Sequence, residues 1–218
     1  MNLRVIFFLF LFPIILNAQQ KITRVIKSEA RHIDIYLDGI DNLKIEESNT
    51  NAIEMIVLDQ NELGVFENFS CENKSCVLKI KSELKGTNDI NNKINQFPIP
   101  PPSNVSVSIK VPKNKTVTIH ADMIDIQSNG YQGVLKMIVG KGNLSISVIK
   151  GIVELALFSG MIYVTTLKDI ALELTTRKGK ILLNGKKVKS QYKKPGSNLK
   201  KLTIKSINGN VMLTSKKT

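Results

Sequence analysis

The sequence predicts an all-β fold in which one parallel sheet coils around an aliphatic core, a single-stranded β-solenoid with short rungs of about 19 residues. Three observations favour it. A phrase that opens on glycine appears four times, apolar residues around each glycine alternate with a spacing of two, and Val, Ile and Thr are frequent there. A spacing of two places side chains on one face of an extended chain, and the helical i, i+3, i+4 spacing is not the organising pattern.

The repeat sets the length of the rungs. The phrases are GNLSIS at 142–147, GMIYVT at 160–165, GKILLN at 179–184 and GNVMLT at 209–214. Residues 116–127 fit the same template with Asp122 in the glycine position, so the keyed positions 122, 142, 160, 179 and 209 lie 20, 18, 19 and 30 apart. Glycine suits a corner because it accepts positive φ. We therefore expect five rungs, each stacked on the one before it at about 4.8 Å.

Aliphatic ladders are expected through the centre of the stack. Equivalent positions after the corner hold Leu144, Ile162, Ile181 and Val211, and those before it hold Leu135, Val153, Leu172 and Leu202. Each such side chain contributes roughly 1.5–3 kcal/mol when buried, and one rung alone cannot cover its own apolar face. A leucine-rich repeat has a similar length but needs a consensus asparagine and a helical return segment, and a β-sandwich has no reason to repeat a phrase at constant spacing.

Residues 1–18 read as a secretory signal peptide. Arg4 precedes an apolar run at 5–16, and Ala18 is a small residue suited to cleavage. Twelve residues rise only about 18 Å as a helix, short of a ~30 Å hydrocarbon core. An uncleaved membrane anchor is the alternative, because Leu16 suits the cleavage site poorly. We expect a mature protein with no membrane span, located in the periplasm, on the outer membrane or outside the cell.

The rest of the chain divides into three parts. Residues 19–85 are strand-rich and form either irregular rungs continuous with the repeat, which we favour, or a separate cap. Residues 86–104 are rich in proline and asparagine and are expected to be a linker or loop. Residues 105–218 are the predicted β-solenoid repeat domain.

Two cysteines, Cys71 and Cys76, flank a four-residue segment between strand-like stretches. Export permits a disulfide, which here would clip the stems of a hairpin and stabilise the fold by about 2 kcal/mol. Free thiols are the alternative. Two cysteines and two distant histidines make a poor zinc site, so no metal and no cofactor are predicted.

Positive charge is concentrated in the second half of the chain. Residues 1–100 carry 11 Lys and Arg against 13 Asp and Glu, whereas residues 101–218 carry 20 against 5, and the net charge is +13. A basic surface on an exported protein suits anionic partners, such as an acidic glycan or lipopolysaccharide, although outward strand positions also need solvating groups of any kind.

The candidate anion contact is the insertion at 185–201. Its candidate residues are Lys186, Lys187, Lys189, Tyr192, Lys193, Lys194, Lys200 and Lys201. Lysines can meet sulfate, phosphate or uronate groups through weak, salt-sensitive contacts, and a solvated loop is the alternative. Binding of single-stranded nucleic acid usually needs several aromatic side chains for base stacking, and the insertion has one tyrosine, so no specific nucleic acid is expected.

The segment VSVSIKVPKNKTVTIHA at 105–121, followed by repeated Gly-x-Ile/Val-x-Leu units, resembles the "putative adhesin" family of exported bacterial proteins. The likeness covers about 105–218 and, more loosely, 30–85, and the NAQQ ending of the leader resembles those of Bacteroidetes-type bacteria. It implies a right-handed β-solenoid of the cell envelope with unknown function, and it supplies no catalytic residues. Asp122 at a corner and the insertion at 185–201 depart from the pattern.

Few residues could carry out catalysis. His32 and His120 are the two groups that titrate near neutral pH, and His120 should point outward because it follows inward Ile119. Asp122 and Asp125 resemble a glycosidase pair only in spacing. We therefore expect a non-catalytic binding, display or structural module that contacts an anionic glycan, lipopolysaccharide or another envelope protein. A polysaccharide-acting β-helix enzyme is the alternative.

Overall fold

The computed structural model describes residues 20–59, 64–72, 74–82, 104–166 and 169–215. Within these ranges the chain is all-β, as predicted, and forms sixteen strands in one large mixed sheet. None of the described residues forms a helix long and apolar enough to cross a membrane. The predicted signal peptide and nearly all of the proline-rich segment lie outside the described residues.

The strands follow one another with short connections. In chain order they are β1 (Gln20–Lys27), β2 (His32–Asp38), β3 (Asn42–Ser48), β4 (Ala52–Asp59), β5 (Val65–Glu72), β6 (Ser75–Ser82), β7 (Val105–Pro112), β8 (Thr116–Met123), β9 (Asp125–Ser128), β10 (Val134–Ile146), β11 (Ile152–Thr166), β12 (Ile170–Thr176), β13 (Ile181–Leu183), β14 (Lys186–Val188), β15 (Gln191–Lys194) and β16 (Ser197–Ser215).

Parallel pairing joins these strands into stacked units, each with one extended stretch on either side of a corner. Gly142, Gly160 and Gly209 are register partners in β10, β11 and β16. Beyond the corner, Ile162 pairs with Val211, which pairs with Ile181. All of the ladder residues predicted above are buried or line the core. The predicted alignment of these four units is confirmed.

The units do not stack in chain order, and this expectation was wrong. The last unit, β16, lies between β11 on one side and β12 with β13 on the other. The unit formed by β12 and β13 is therefore outermost. Its free edges pair with the antiparallel strands β15 and β14, which are supplied by the insertion. An open parallel edge exposes unpaired N–H and C=O groups. The antiparallel strands of the insertion pair with these groups and so cover the edge.

The other end of the stack uses the same arrangement. The unit β2 with β3 pairs with β8 and β9 on its inner side and with β6 and β7 on its outer side. Antiparallel β5 then covers β6, and antiparallel β4 and β1 extend from β7. Strands from residues 20–82 thus share one sheet with the repeat.

One corner was assigned two residues too early. Ala121 and Met123 pair with Val139 and Lys141, so Asp122 lies opposite Gly140. The partner of Gly142 is therefore Ile124, and a Cβ built on Gly142 would lie 1.8 Å from the Ile124 carbonyl oxygen. A shift of two residues preserves the alternation of inward and outward side chains, so the apolar pattern cannot detect it.

The corners use glycine for two reasons. Gly142 and Gly160 have φ of 151° and 135°, the positive values predicted from the sequence. Gly179 is needed for close approach, because its Cβ would lie 1.9 Å from the Gly209 carbonyl oxygen. Its N–H donates to Thr176 Oγ1 at 3.1 Å, and the Gly209 N–H donates to Ser206 Oγ at 2.8 Å. The hydroxyls satisfy donors that the tight corner would otherwise leave unpaired.

Tyr131 fixes the turn between β7 and β8. Its side chain is fully buried, and its hydroxyl donates toward the carbonyl oxygens of Pro112 at 2.9 Å and Lys115 at 3.1 Å. The Lys115 N–H donates to the same hydroxyl at 3.0 Å. Burial raises the pKa of Tyr131 to about 12, because the charged phenolate is disfavoured away from water.

The assigned strand faces predict a large loss of stability for one substitution and a small one for its neighbour. Met137 is 0% exposed, whereas the side chain of Ile138 is 49% exposed. Met137→Ala should lower the free energy of unfolding by about 2–5 kcal/mol, since it leaves a cavity in the ladder. Ile138→Ala, the matched control, should change it by less than about 1 kcal/mol. Urea unfolding followed by circular dichroism measures both, and equal losses would contradict the assigned strand faces.

Tyr131 predicts a loss of stability at alkaline pH. Its pKa is raised in the folded state, so its contribution is complete below pH 10, the ordinary value, and is lost as pH rises through about 12. The free energy of unfolding should fall by about 2–3 kcal/mol through this group. Tyr131→Phe should be less stable at pH 8 by about 1–3 kcal/mol but should decline less between pH 10 and 12. Parallel declines of the two proteins in urea titrations would contradict this.

Candidate functional site

The insertion at 185–201 forms part of the end cap. Residues 186–188 and 191–194 are strands β14 and β15, paired antiparallel to β13 and β12. The Thr176 N–H also donates to the Ser190 carbonyl oxygen at 2.9 Å. The segment is thus fixed to the sheet along two short edges, which positions its side chains.

Tyr192 faces the core. It lies opposite Leu174, an inward residue of β12, and its ring packs half-buried against the end of the aliphatic core. Val188 does the same opposite Ile181 in β14. The ring of Tyr192 thus covers the end of the core, and its predicted anion contact stays a prediction.

Two of the candidate lysines share a carboxylate. Lys193 Nζ lies 3.1 Å from Glu173 Oε1, and Lys201 Nζ lies 3.2 Å from Oε2. The hydrogen bond from Lys193, followed by that from Lys201, holds the pKa of Glu173 below its ordinary value. These lysines are partly neutralised on the outer face of the sheet.

Five candidates make no ion pair with any residue of the described ranges. These cap lysines are Lys186, Lys187, Lys189, Lys194 and Lys200. The first four are exposed, and Lys200 is half-buried. Lys186 and Lys187 lie on β14, Lys194 lies on β15, Lys189 lies between these two strands, and Lys200 lies near the start of β16. All five belong to the insertion, which carries few compensating carboxylates.

The residues considered for catalysis are scattered. His32 is exposed at the start of β2, and the ring of His120 stacks on Tyr36 with the centroids 4.6 Å apart. Asp125 accepts hydrogen bonds from the backbone and side-chain nitrogens of Asn143 at 2.8 and 3.1 Å, so it ties two units together. Asp122 is exposed on β8, before the corner. Within the described ranges, no three His, Cys, Asp or Glu side chains are grouped to hold a metal ion.

Cys71 and Cys76 are joined in a disulfide within the hairpin of β5 and β6. The two residues are direct cross-strand partners, and Ser28 Oγ lies 3.0 Å from Cys76 Sγ. The disulfide belongs to the cap at the end opposite the cap lysines.

A groove crosses the outer face of the sheet and was not predicted. It has a volume of about 730 Å³ and runs over β8, β10, β11, β16 and β12. Ile138 and Phe158, which are 49% and 54% exposed, stand beside the small residues Gly140 and Ala156. We call this surface the outer groove. Large apolar residues at outward positions of an alternating strand were the signal in the sequence.

The outer groove has unlike ends. Arg177 and Lys205 line it where it reaches β12 and β16, and Asp122 with His120 lines it at β8. Arg177 and Lys205 are exposed, and no salt bridge joins either of them to a described residue. The groove is therefore cationic at one end, apolar in the middle and anionic at the other.

A solved structure shares this fold. It is described as a putative cell adhesion protein from Clostridium sporogenes and matches with a TM-score of 0.61 and 13% identity, over 91% of this chain and 100% of that chain. A second, a putative adhesin from Bacteroides fragilis, covers 92% of this chain and 99% of that chain at 10% identity, with a TM-score of 0.28. The first match confirms, for the fold, the predicted likeness to adhesin-like proteins.

No model of a sequence family matches the chain. No curated protein matches it significantly in sequence. The likeness therefore lies in the architecture of the sheet.

Proposed function

We propose that this chain is a non-catalytic, exported cell-envelope protein, an adhesin-like module that binds anionic partners through one end of a stiff β-solenoid. The observation that carries the proposal is the set of five cap lysines, which make no ion pair with described residues. Three of them lie on the cap strands β14 and β15, and the other two lie within the same insertion. Rigid attachment lowers the entropy lost on binding.

The solenoid is the finer part of the fold proposal. Parallel partners such as Leu135 with Val153, and Leu144 with Ile162, keep one constant offset along both stretches of the unit. Such a register is expected when similar units of a coiled chain stack on one another, and the right-handed sense is the usual one for parallel connections. The fold shared with the Clostridium sporogenes protein, described as a putative cell adhesion protein, supports an adhesin-like role.

Export is supported by two features. The first 18 residues read as a signal peptide, and the disulfide between Cys71 and Cys76 suits an oxidising compartment. We place the protein in the periplasm, at the outer membrane or outside the cell. The anionic partners available there are acidic glycans, lipopolysaccharide and other envelope proteins.

Binding is favoured over catalysis by the positions of the titratable groups. Asp125 is held by Asn143, His120 is stacked on Tyr36, and Asp122 lies on the other side of the corner from Asp125. A glycosidase instead holds two carboxyl groups across one sugar bond.

Substitution of the cap lysines tests the proposal. The five cap lysines are changed to serine while Lys193, Lys201 and Glu173 are kept, so that the ion pairs of the sheet survive. On heparin and polygalacturonate columns at low salt, the variant should elute at a clearly lower salt concentration than the parent, because screened lysine contacts dominate retention.

The matched control removes five exposed lysines elsewhere, namely Lys21, Lys27, Lys79, Lys141 and Lys150. Both variants lose the same charge, so a contact confined to the cap predicts a much smaller shift for the control. Equal shifts of the two variants, or no shift of the cap variant, would rule the cap out as the contact.

A further inference from the structure

The outer groove is separate from the cap lysines, and we infer that it binds one unbranched fatty acid carboxylate of about twelve carbons or more. The acyl chain lies along the apolar middle of the groove, and the carboxylate meets Arg177 and Lys205. This inference goes beyond the proposed anion contact, which uses none of these residues.

The shape of the groove suits an unbranched chain. Gly140 and Ala156 leave room between the larger side chains of Ile138, Phe158 and Ile207. The groove crosses five units, which at about 4.8 Å per step gives a length of roughly 19 Å. A narrow channel of that kind, about 730 Å³ in volume, admits a flexible methylene chain lengthwise.

The chemistry of the floor disfavours polar polymers. The strands β8, β10, β11 and β16 bond to one another throughout this region, so their backbone groups are engaged in the sheet. The middle of the floor therefore offers side-chain atoms, mainly apolar. The donors and acceptors of a peptide or glycan that face this floor would find few partners, which costs free energy, whereas a methylene chain has none.

The charges at the two ends set the orientation and the head group. Arg177 and Lys205 make no salt bridge with described residues, and they lie at the end of the groove formed by β12 and β16. Asp122 lies at the opposite end and repels an anion. A carboxylate at Arg177 forms charge-assisted hydrogen bonds, and a cationic head group finds no partner there.

Calorimetric titration with sodium laurate, below the concentration at which it forms micelles, tests the inference. We expect saturable binding of one laurate per chain. In Asp122→Asn, which removes the anionic end of the groove, dodecyltrimethylammonium should bind markedly more weakly than laurate. Ala156→Leu fills the channel from an outward position and should weaken laurate binding at least about tenfold. The matched control is Ser145→Leu, an outward position in the stretch of β10 beyond the Gly142 corner and outside the groove, which should bind as the parent does.

A second variant tests the head group. Arg177→Gln combined with Lys205→Gln should weaken laurate binding by roughly tenfold and remove its salt dependence. Unchanged laurate affinity in this variant or in Ala156→Leu would overturn the inference, and so would equal binding of laurate and dodecyltrimethylammonium to Asp122→Asn. A dimer that Ala156→Leu dissociates, without laurate binding, would assign the groove to a second copy instead.

The two proposals fail independently. The five-serine cap variant retains the groove and should bind laurate as the parent does. Loss of laurate binding in Ala156→Leu should leave retention on heparin unchanged. Impaired laurate binding in the cap variant would overturn the assignment of two separate sites.

Discussion

Each unit of this sheet depends on backbone hydrogen bonds to the unit on either side, so the outermost units would leave a row of N–H and C=O groups unpaired. The inward aliphatic side chains of those units would also face water. A regular, flat parallel edge is also a template for association with another chain. The structure of both ends follows from this constraint.

The chain meets the constraint in the same way at each end. At each end the outermost unit is not the first or the last unit of the chain but its neighbour in sequence. The segment next to that unit folds back as antiparallel strands. The strands β5 and β4 cover the outermost unit at one end, and β15 and β14 cover it at the other. Tyr192 and Val188 then cover the end of the core, while the lysines of the same strands face water. Charged edge strands also discourage pairing with further chains.

The sequence predicted what repeats and missed what occurs once. The inward ladder residues, the glycine corners and the all-β class follow from alternation and period, which are local properties. A register shift of two residues cannot be detected from the alternation, because it keeps every side chain on the same face. For that reason the corner assigned to Asp122 belongs to Ile124. The order of the units also does not follow, because β11 could pair with β12 or with β16 through equivalent apolar ladders. The long step before Gly209 marked the insertion, but nothing local showed that it turns back onto the sheet.

The two candidate sites differ in how visible they were. Lysines concentrated in one segment are obvious in the sequence, although the pairing of Lys193 and Lys201 with Glu173 required coordinates. The outer groove joins residues from five units, and Ile138 and Phe158 each looked like an isolated exception to alternation. Only the register shows that they flank the same channel. Repetition thus supplies a uniform scaffold, and departures from it at outward positions form the two candidate sites.

The order of the units is the central claim, and disulfide trapping tests it most directly. Tyr163, Met212 and Leu182 are outward partners in β11, β16 and β13, with Met212 between the other two. Cysteine pairs at 163 with 212 and at 182 with 212 should cross-link on oxidation, since adjacent strands place Cα atoms about 5 Å apart. The pair at 163 with 182, about 10 Å apart, should not. Cross-linking of 163 with 182 and none of 163 with 212 would show that the units stack in chain order, and would contradict the account.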